Sequence, residues 1–272
     1  MLLDNDARQP LQSAPRKRGV RGCCASLGAY LGAEFAGDRD GPRKFYKGQY
    51  ARALAWSAVL LLGWGFTRLT CTLGVPSDCN LANSPLEYMS DVQILLTYGL
   101  VQAWFCDVLE RERFWNLFSW PRWYFFASFL SGGLAFSVVG DMPGLGSSLS
   151  SGSSYTVAQV ALYASVGIVA LWVLCWHFWY ARRVYSAADV LQNFRVYAWS
   201  RGATYLFFLL YTLAVVLSGA SFEFHHYFLA WVVSLSAQFR HGLSVITLGV
   251  TAGIFVQGLG AYRSAFLFYE HG

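Results

Sequence analysis

His225 and His226 stand side by side, two of the chain's five histidines, with Glu223 just before them and Tyr227 immediately after. Two imidazoles and a carboxylate can bind a divalent metal such as zinc, copper or iron, and they can equally form a hydrogen-bonded cluster that responds to pH. On a helix Glu223 and His226 share a face at i, i+3; on an extended backbone Glu223 and His225 share a side instead. Asp91 is the further acid most able to complete such a set, with Glu87, Arg68 and Asp141 at comparable positions near the ends of apolar segments. The plainer alternative is that the histidines, with Tyr227 and Trp231, anchor a helix end at the level of lipid headgroups.

The surroundings are those of a chain built for lipid. Hydrophobic residues make up 56% of the 272 positions and charged residues 13%, about half the charge of an ordinary soluble domain. The formal charge of +5 is distributed by position and forms no nucleic-acid-binding patch or motif. The expected fold class is therefore all-α, a polytopic bundle of about seven transmembrane helices, with the lipid bilayer and other membrane proteins as partners and no nucleic acid.

Apolar runs of about 20 residues place spans near 53–75, 88–108, 120–140, 155–181, 203–220, 222–242 and 243–262. The sixth is unusual: from Tyr227 to Phe239 a helix covers only about 20 Å, so it must extend over 222–242, roughly 31 Å, to reach across. That extension puts His225 and His226 about a turn inside one boundary. Residues 1–50 form a basic tail, 51–262 the seven-helix domain and 263–272 a short second tail. Of the 20 Lys and Arg, only Arg68 and Arg263 fall on the side away from the basic tail. By the positive-inside rule the N-terminus is cytoplasmic and the C-terminus lumenal or extracellular, in the plasma membrane or an endomembrane.

Within this frame the charged run 110–113 reads as a cap at the cytoplasmic surface, and residues 141–155, rich in Gly and Ser, read as a flexible linker. Residues 187–194 suit a short helix on the inner surface. His177 reads as an interfacial residue and His241 as a solvent-facing cap. Cys71 and Cys79 flank a Pro-containing turn on the oxidising side, and their spacing allows a disulfide. Cys23 and Cys24, beside a basic run, suit S-palmitoylation. Gly249 and Gly253 have the spacing of close helix packing, with the sixth span as the expected neighbour.

Catalytic motifs of several membrane classes are missing. All three lysines lie in the N-terminal tail, so no spanning lysine can form a retinal Schiff base, and no GxSxG, Walker or dinucleotide pattern stands in a supporting context. The chain reads as a scaffold or partner subunit rather than an enzyme. The alternatives are a proton- or metal-linked transporter or channel and a metal-dependent membrane enzyme, both using Glu223, His225, His226 and Asp91.

His225-His226-Tyr227, Phe239-Arg240 and 253–258 together resemble the last two spans of an uncharacterised eukaryotic multi-pass membrane family, some of whose fungal members carry an LCCL domain. The family pattern at this point is H-x-H-H-Tyr/Trp. Glu223 here stands in place of its first histidine. The resemblance covers about the last 40 residues and implies membrane helices there, without an assigned activity.

Overall fold

A computed structural model describes residues 42–77, 79, 84–118, 123–142, 149–150, 155–188, 190–218, 221–262 and 268–269. Cys23, Cys24 and most of both expected tails lie outside the described residues. The described chain is helical: α1 (Pro42–Thr72), α2 (Pro85–Phe105), α3 (Arg111–Phe118), α4 (Tyr124–Asp141), α5 (Val157–Ala187), α6 (Leu191–Leu217), α7 (His226–Ser234) and α8 (Gly242–Tyr262). Three of these are long and apolar enough to cross a membrane: α1 over Gly48–Thr72, α5, and α8.

Local chemistry sets the helix boundaries. Ser84 caps α2 and Thr156 caps α5, each in a reciprocal capping box with Glu87 or Gln159. Gly74, at φ 81°, turns the chain after α1 toward the Cys71–Cys79 disulfide, whose Cα atoms lie 5.6 Å apart.

The core is organised around α8, which is buried over nearly all of its circumference from Thr247 to Ala261. Such a helix needs close neighbours on several sides, and its glycines admit them. A Cβ added at Gly253 would fall 1.9 Å from the Phe129 carbonyl oxygen, and one at Gly249 would meet Ser128 and the Phe125 carbonyl. Both glycines therefore press against α4. The expected neighbour for them, the sixth segment, instead meets Gly258, whose added Cβ would strike the Tyr227 ring, while Gly260 faces Thr67 of α1. Gly132 and Gly133 on α4 answer the α8 glycines, so the two backbones pack side by side and parallel.

The packing sorts the molecule into two ends. At one end, Ser77 donates to Asp141 through its backbone N–H (2.6 Å) and its hydroxyl (2.8 Å), and His226 sits against Phe136 and Tyr262. At the other, Arg52 reaches the Leu109 carbonyl, Arg240 pairs with Glu112, and Phe239 nests among Tyr180, Tyr185 and Tyr197. We call these the histidine end and the arginine end.

Three expectations change. The sixth segment is not a helix over 222–242: helix exists only from His226 to Ser234, preceded by a strand at Ser221–Phe224 and followed by turns to His241. The stretch 141–155 contains β1 (Leu149–Ser150), which pairs antiparallel with β2 (Ser221–Phe224), Leu149 opposite Phe224 and Ser150 opposite Glu223; β2 in turn pairs antiparallel with β3 (Phe268–Tyr269). At 187–194 there is no separate surface helix: α5 runs to Ala187 and α6 starts at Leu191. Together α5 and α6 form a long hairpin whose side chains are mostly uncovered, joined to the core through the aromatic cluster at the arginine end and through Phe208 against Phe228 and Trp231.

Candidate functional site

At the histidine end most polar side chains have a local partner. Asp91, 1% exposed, holds the Arg68 guanidinium at 3.3 Å, and that guanidinium also lies over the rings of Trp64 (5.4 Å) and Tyr88 (4.9 Å). The residues come from matching turns of α1 and α2: Trp64 and Arg68 are separated by four positions, Tyr88 and Asp91 by three, so each pair shares a face. Burial of an ion pair is costly unless it is hydrogen-bonded, and the two aromatic faces add cation–π attraction to it.

His226, the first residue of α7, points its Nε2 at the Gln257 Oε1 of α8 (3.3 Å) and stacks on Phe136 at 5.1 Å. His225 holds the N-cap position in extended geometry and lies against the Tyr227 ring. Glu223 lies in a strand and His225 is extended, so the backbone follows the extended alternative and the helical i, i+3 spacing of Glu223 and His226 does not arise. Glu87 is spent on the Ser84 cap and Asp141 on Ser77. Among the described residues no three His, Cys, Asp or Glu side chains converge where a metal ion could sit. Of the expected set of Glu223, His225, His226 and Asp91, Asp91 pairs with Arg68 and His226 with Gln257. Beside Gln257 a cavity of about 20 Å³, lined also by Thr67, Thr70 and Ser137, has room for about one water.

The arginine end holds a denser polar structure, which the sequence did not reveal. After Ser234 the chain leaves helical geometry while still inside the core, so its carbonyls lose their i+4 donors. Turn N–H groups of Ala237 and Gln238 reach the Ser234 and Ser236 carbonyls, and side chains donate to nearly every carbonyl of the stretch. Cys106 Sγ donates to the Ser234 carbonyl (3.1 Å), Arg201 Nε to Leu235 (3.2 Å) and Tyr197 OH to Ser236 (3.0 Å). Arg113 donates through Nη2 to Ala237 (2.9 Å) and through Nη1 to Phe239. The Ser234 hydroxyl is further tied to Gln102 Nε2 at 2.7 Å, and the Phe239 N–H donates to the Ser244 hydroxyl. A second Arg201 arm reaches the Phe105 carbonyl and Gln238, whose amide donates in turn to Tyr185 OH.

Three expectations change at this end. Arg113 is not part of a solvated cap: it is 1% exposed, carried inward by the short helix α3, while its neighbours Arg111 and Glu112 stay outside. His177 is fully buried, with Nδ1 at 2.8 Å from the Val173 carbonyl of its own helix and its ring facing Phe239. His241 is half-buried, accepts the Leu243 N–H and packs on Trp176 and Tyr180.

No family model, no curated protein and no solved structure matches the chain. The functional reading therefore rests on these two ends and on the surface between them.

Chemically, the histidine end offers buried neutral and paired charged groups, and the arginine end offers fixed positive charge facing a bent backbone. The signal for the latter was present in part: the apolar run between Tyr227 and Phe239 is too short to cross as a helix, and Ser234, Ser236 and Gln238 interrupt it.

Proposed function

We propose that the chain is an integral membrane protein crossing the bilayer seven times, N-terminus cytoplasmic, and that it serves as a scaffold or partner subunit rather than as an enzyme. The observation that carries the reading is α5: 31 residues, strongly apolar, with 6% of its central window buried. In water that much exposed apolar surface would be covered by aggregation or a partner; in a bilayer it faces acyl chains and neighbouring membrane helices. The remaining crossings are α2, α4, α6 and α7 with its unwound continuation, which joins the helix to the arginine end. Irregular backbone at such depth is tolerated where protein surrounds it, and the ring of donors around 234–239 meets that requirement. Ser77–Asp141 at one end and Arg52–Leu109 at the other fit alternating crossings.

A photo-crosslinking amino acid at Trp172, exposed on α5, tests the partner role in native membranes. The proposal expects a protein adduct of one reproducible mass, absent when the probe is moved to buried Leu248. Lipid adducts alone at Trp172 would remove the partner role.

A second reading, proton- or metal-linked transport, is favoured by Arg68–Asp91 and His226–Gln257, since ionisable and polar groups buried among apolar helices mark pathways in many membrane proteins. It requires Asp91→Asn to abolish ion or metal uptake into proteoliposomes while leaving the protein folded. A metal-dependent enzyme requires bound metal that the double substitution His225→Ala/His226→Ala removes.

A further inference from the structure

Seven arginines of the arginine end fall into two groups by what they touch, and an eighth, Arg111, is exposed on α3 and is not part of the α5–α6 hairpin. Arg52, Arg113, Arg201 and Arg240 are engaged, three with backbone carbonyls and the last with Glu112. Arg182, Arg183 and Arg195 are exposed, and among the described residues they have no carboxylate or hydrogen-bond partner; Arg183 lies over the Trp179 ring at 5.5 Å and nothing more. They also sit at one depth. Arg182 and Arg183 precede the end of α5 by five and four residues and Arg195 follows the start of α6 by four, so all three lie roughly 6–8 Å from the hairpin tip. Neither helix contains an Asp or Glu; the one acid of the hairpin, Asp189 in the connection between them, lies outside the described residues.

We propose that this rim of the α5–α6 hairpin binds the headgroups of anionic phospholipids. The inference rests on the membrane reading above and adds the lipid class. Three unpaired guanidinium groups attract phosphate and carboxylate oxygens, and guanidinium is matched in shape to both. What selects a lipid over an acidic protein is the surface that continues from the rim. Trp179 and Trp199 are exposed about one turn further from the tip, and Trp172, Leu171 and Ile168 extend the exposed apolar wall of α5 beyond them. A headgroup on the arginines leaves its acyl chains alongside that wall, with the indoles at the interface between the two. Near an anionic surface each basic residue contributes a factor of about five in affinity, so three together set a ceiling of roughly a hundredfold.

The test uses the full chain in a neutral detergent, titrated with phosphatidylserine or phosphatidylcholine and read by native mass spectrometry. The wild type is expected to bind phosphatidylserine at least about tenfold more tightly than phosphatidylcholine, with the difference shrinking as salt is raised. The triple substitution Arg182→Gln/Arg183→Gln/Arg195→Gln is expected to reduce phosphatidylserine binding to the phosphatidylcholine level, while Arg182→Lys/Arg183→Lys/Arg195→Lys keeps most of the preference. Equal binding of the two lipids by the wild type, or an undiminished preference in the glutamine variant, overturns the proposal. Displacement of phosphatidylserine by a soluble polyglutamate peptide at equal concentration overturns it in favour of an acidic protein partner. If the glutamine variant melts well below the wild type, the single substitution Arg195→Gln replaces it, with a loss of about fivefold expected and no loss contradicting the site. Alkaline carbonate extraction of the same preparations separates the two levels: release into the aqueous phase contradicts the membrane reading, whereas an integral protein without lipid preference contradicts only this site.

Discussion

Arg113 shows how much one side chain can hold in place. Its guanidinium serves two carbonyls, Ala237 and Phe239, that no backbone N–H reaches in this bent stretch. Removing it leaves buried acceptors without donors, and such a loss costs about 3 kcal/mol in total. Arg113→Met should therefore lower stability by about that amount in thermal denaturation of the detergent-solubilised protein, and Arg113→Lys by roughly half, since an ammonium lacks the planar two-armed fork. A variant as stable as the wild type would show that the carbonyls find other donors. His226 and Asp91 make the opposite kind of prediction. Because His226 is turned to Gln257 and Asp91 to Arg68, metal analysis of purified wild type and of His225→Ala/His226→Ala should give equal content. At this scale the sequence was informative about which residues are polar inside an apolar chain and uninformative about their pairing. Glu223, His225 and His226 are neighbours in sequence, but a strand ends and a helix begins between them, so the three do not share one helical face. Arg68 and Asp91 are 23 positions apart, and only the antiparallel packing of α1 and α2 joins them.

Glycine positions give the helices their separations, and the same substitution should have opposite effects in two of them. Gly253→Ala places a methyl group against the Phe129 carbonyl, forcing α4 and α8 apart; overpacking of this kind costs about 1–3 kcal/mol. Gly167→Ala on α5 meets nothing within 4 Å and should be neutral or slightly stabilising, because alanine is the better helix former. Parallel melting curves of the two variants check the pair, and equal destabilisation would contradict the packing. Periodicity and length made α1, α5 and α8 legible, and glycine spacing made close packing legible, but not its partner. The short helix α7 was hidden because carbonyls released by a break can be capped by side chains distant in sequence: Cys106, Arg113, Tyr197 and Arg201. The Cys71–Cys79 disulfide belongs to this scale as well, since it closes the turn between α1 and α2. Mass spectrometry without reductant should find both thiols blocked against alkylation while Cys175, exposed on α5, reacts; labelling of Cys71 would contradict the bridge.

The molecule as a whole combines a tight core around α8 with a loosely covered α5–α6 hairpin, and this contrast supports the proposed scaffold role. The seven crossings proposed for it would join the histidine end and the arginine end to opposite faces of a bilayer. The most direct measurement is the sidedness of single cysteines, Met142→Cys at the histidine end and Ser186→Cys at the arginine end, probed with a membrane-impermeant maleimide on intact cells or sealed organelles of known orientation. The account predicts that the two positions label from opposite sides, with Ser186→Cys cytoplasmic and a C-terminal epitope on the side of Met142→Cys. Labelling of both cysteines from one side, or a C-terminal epitope on the cytoplasmic side, would contradict it.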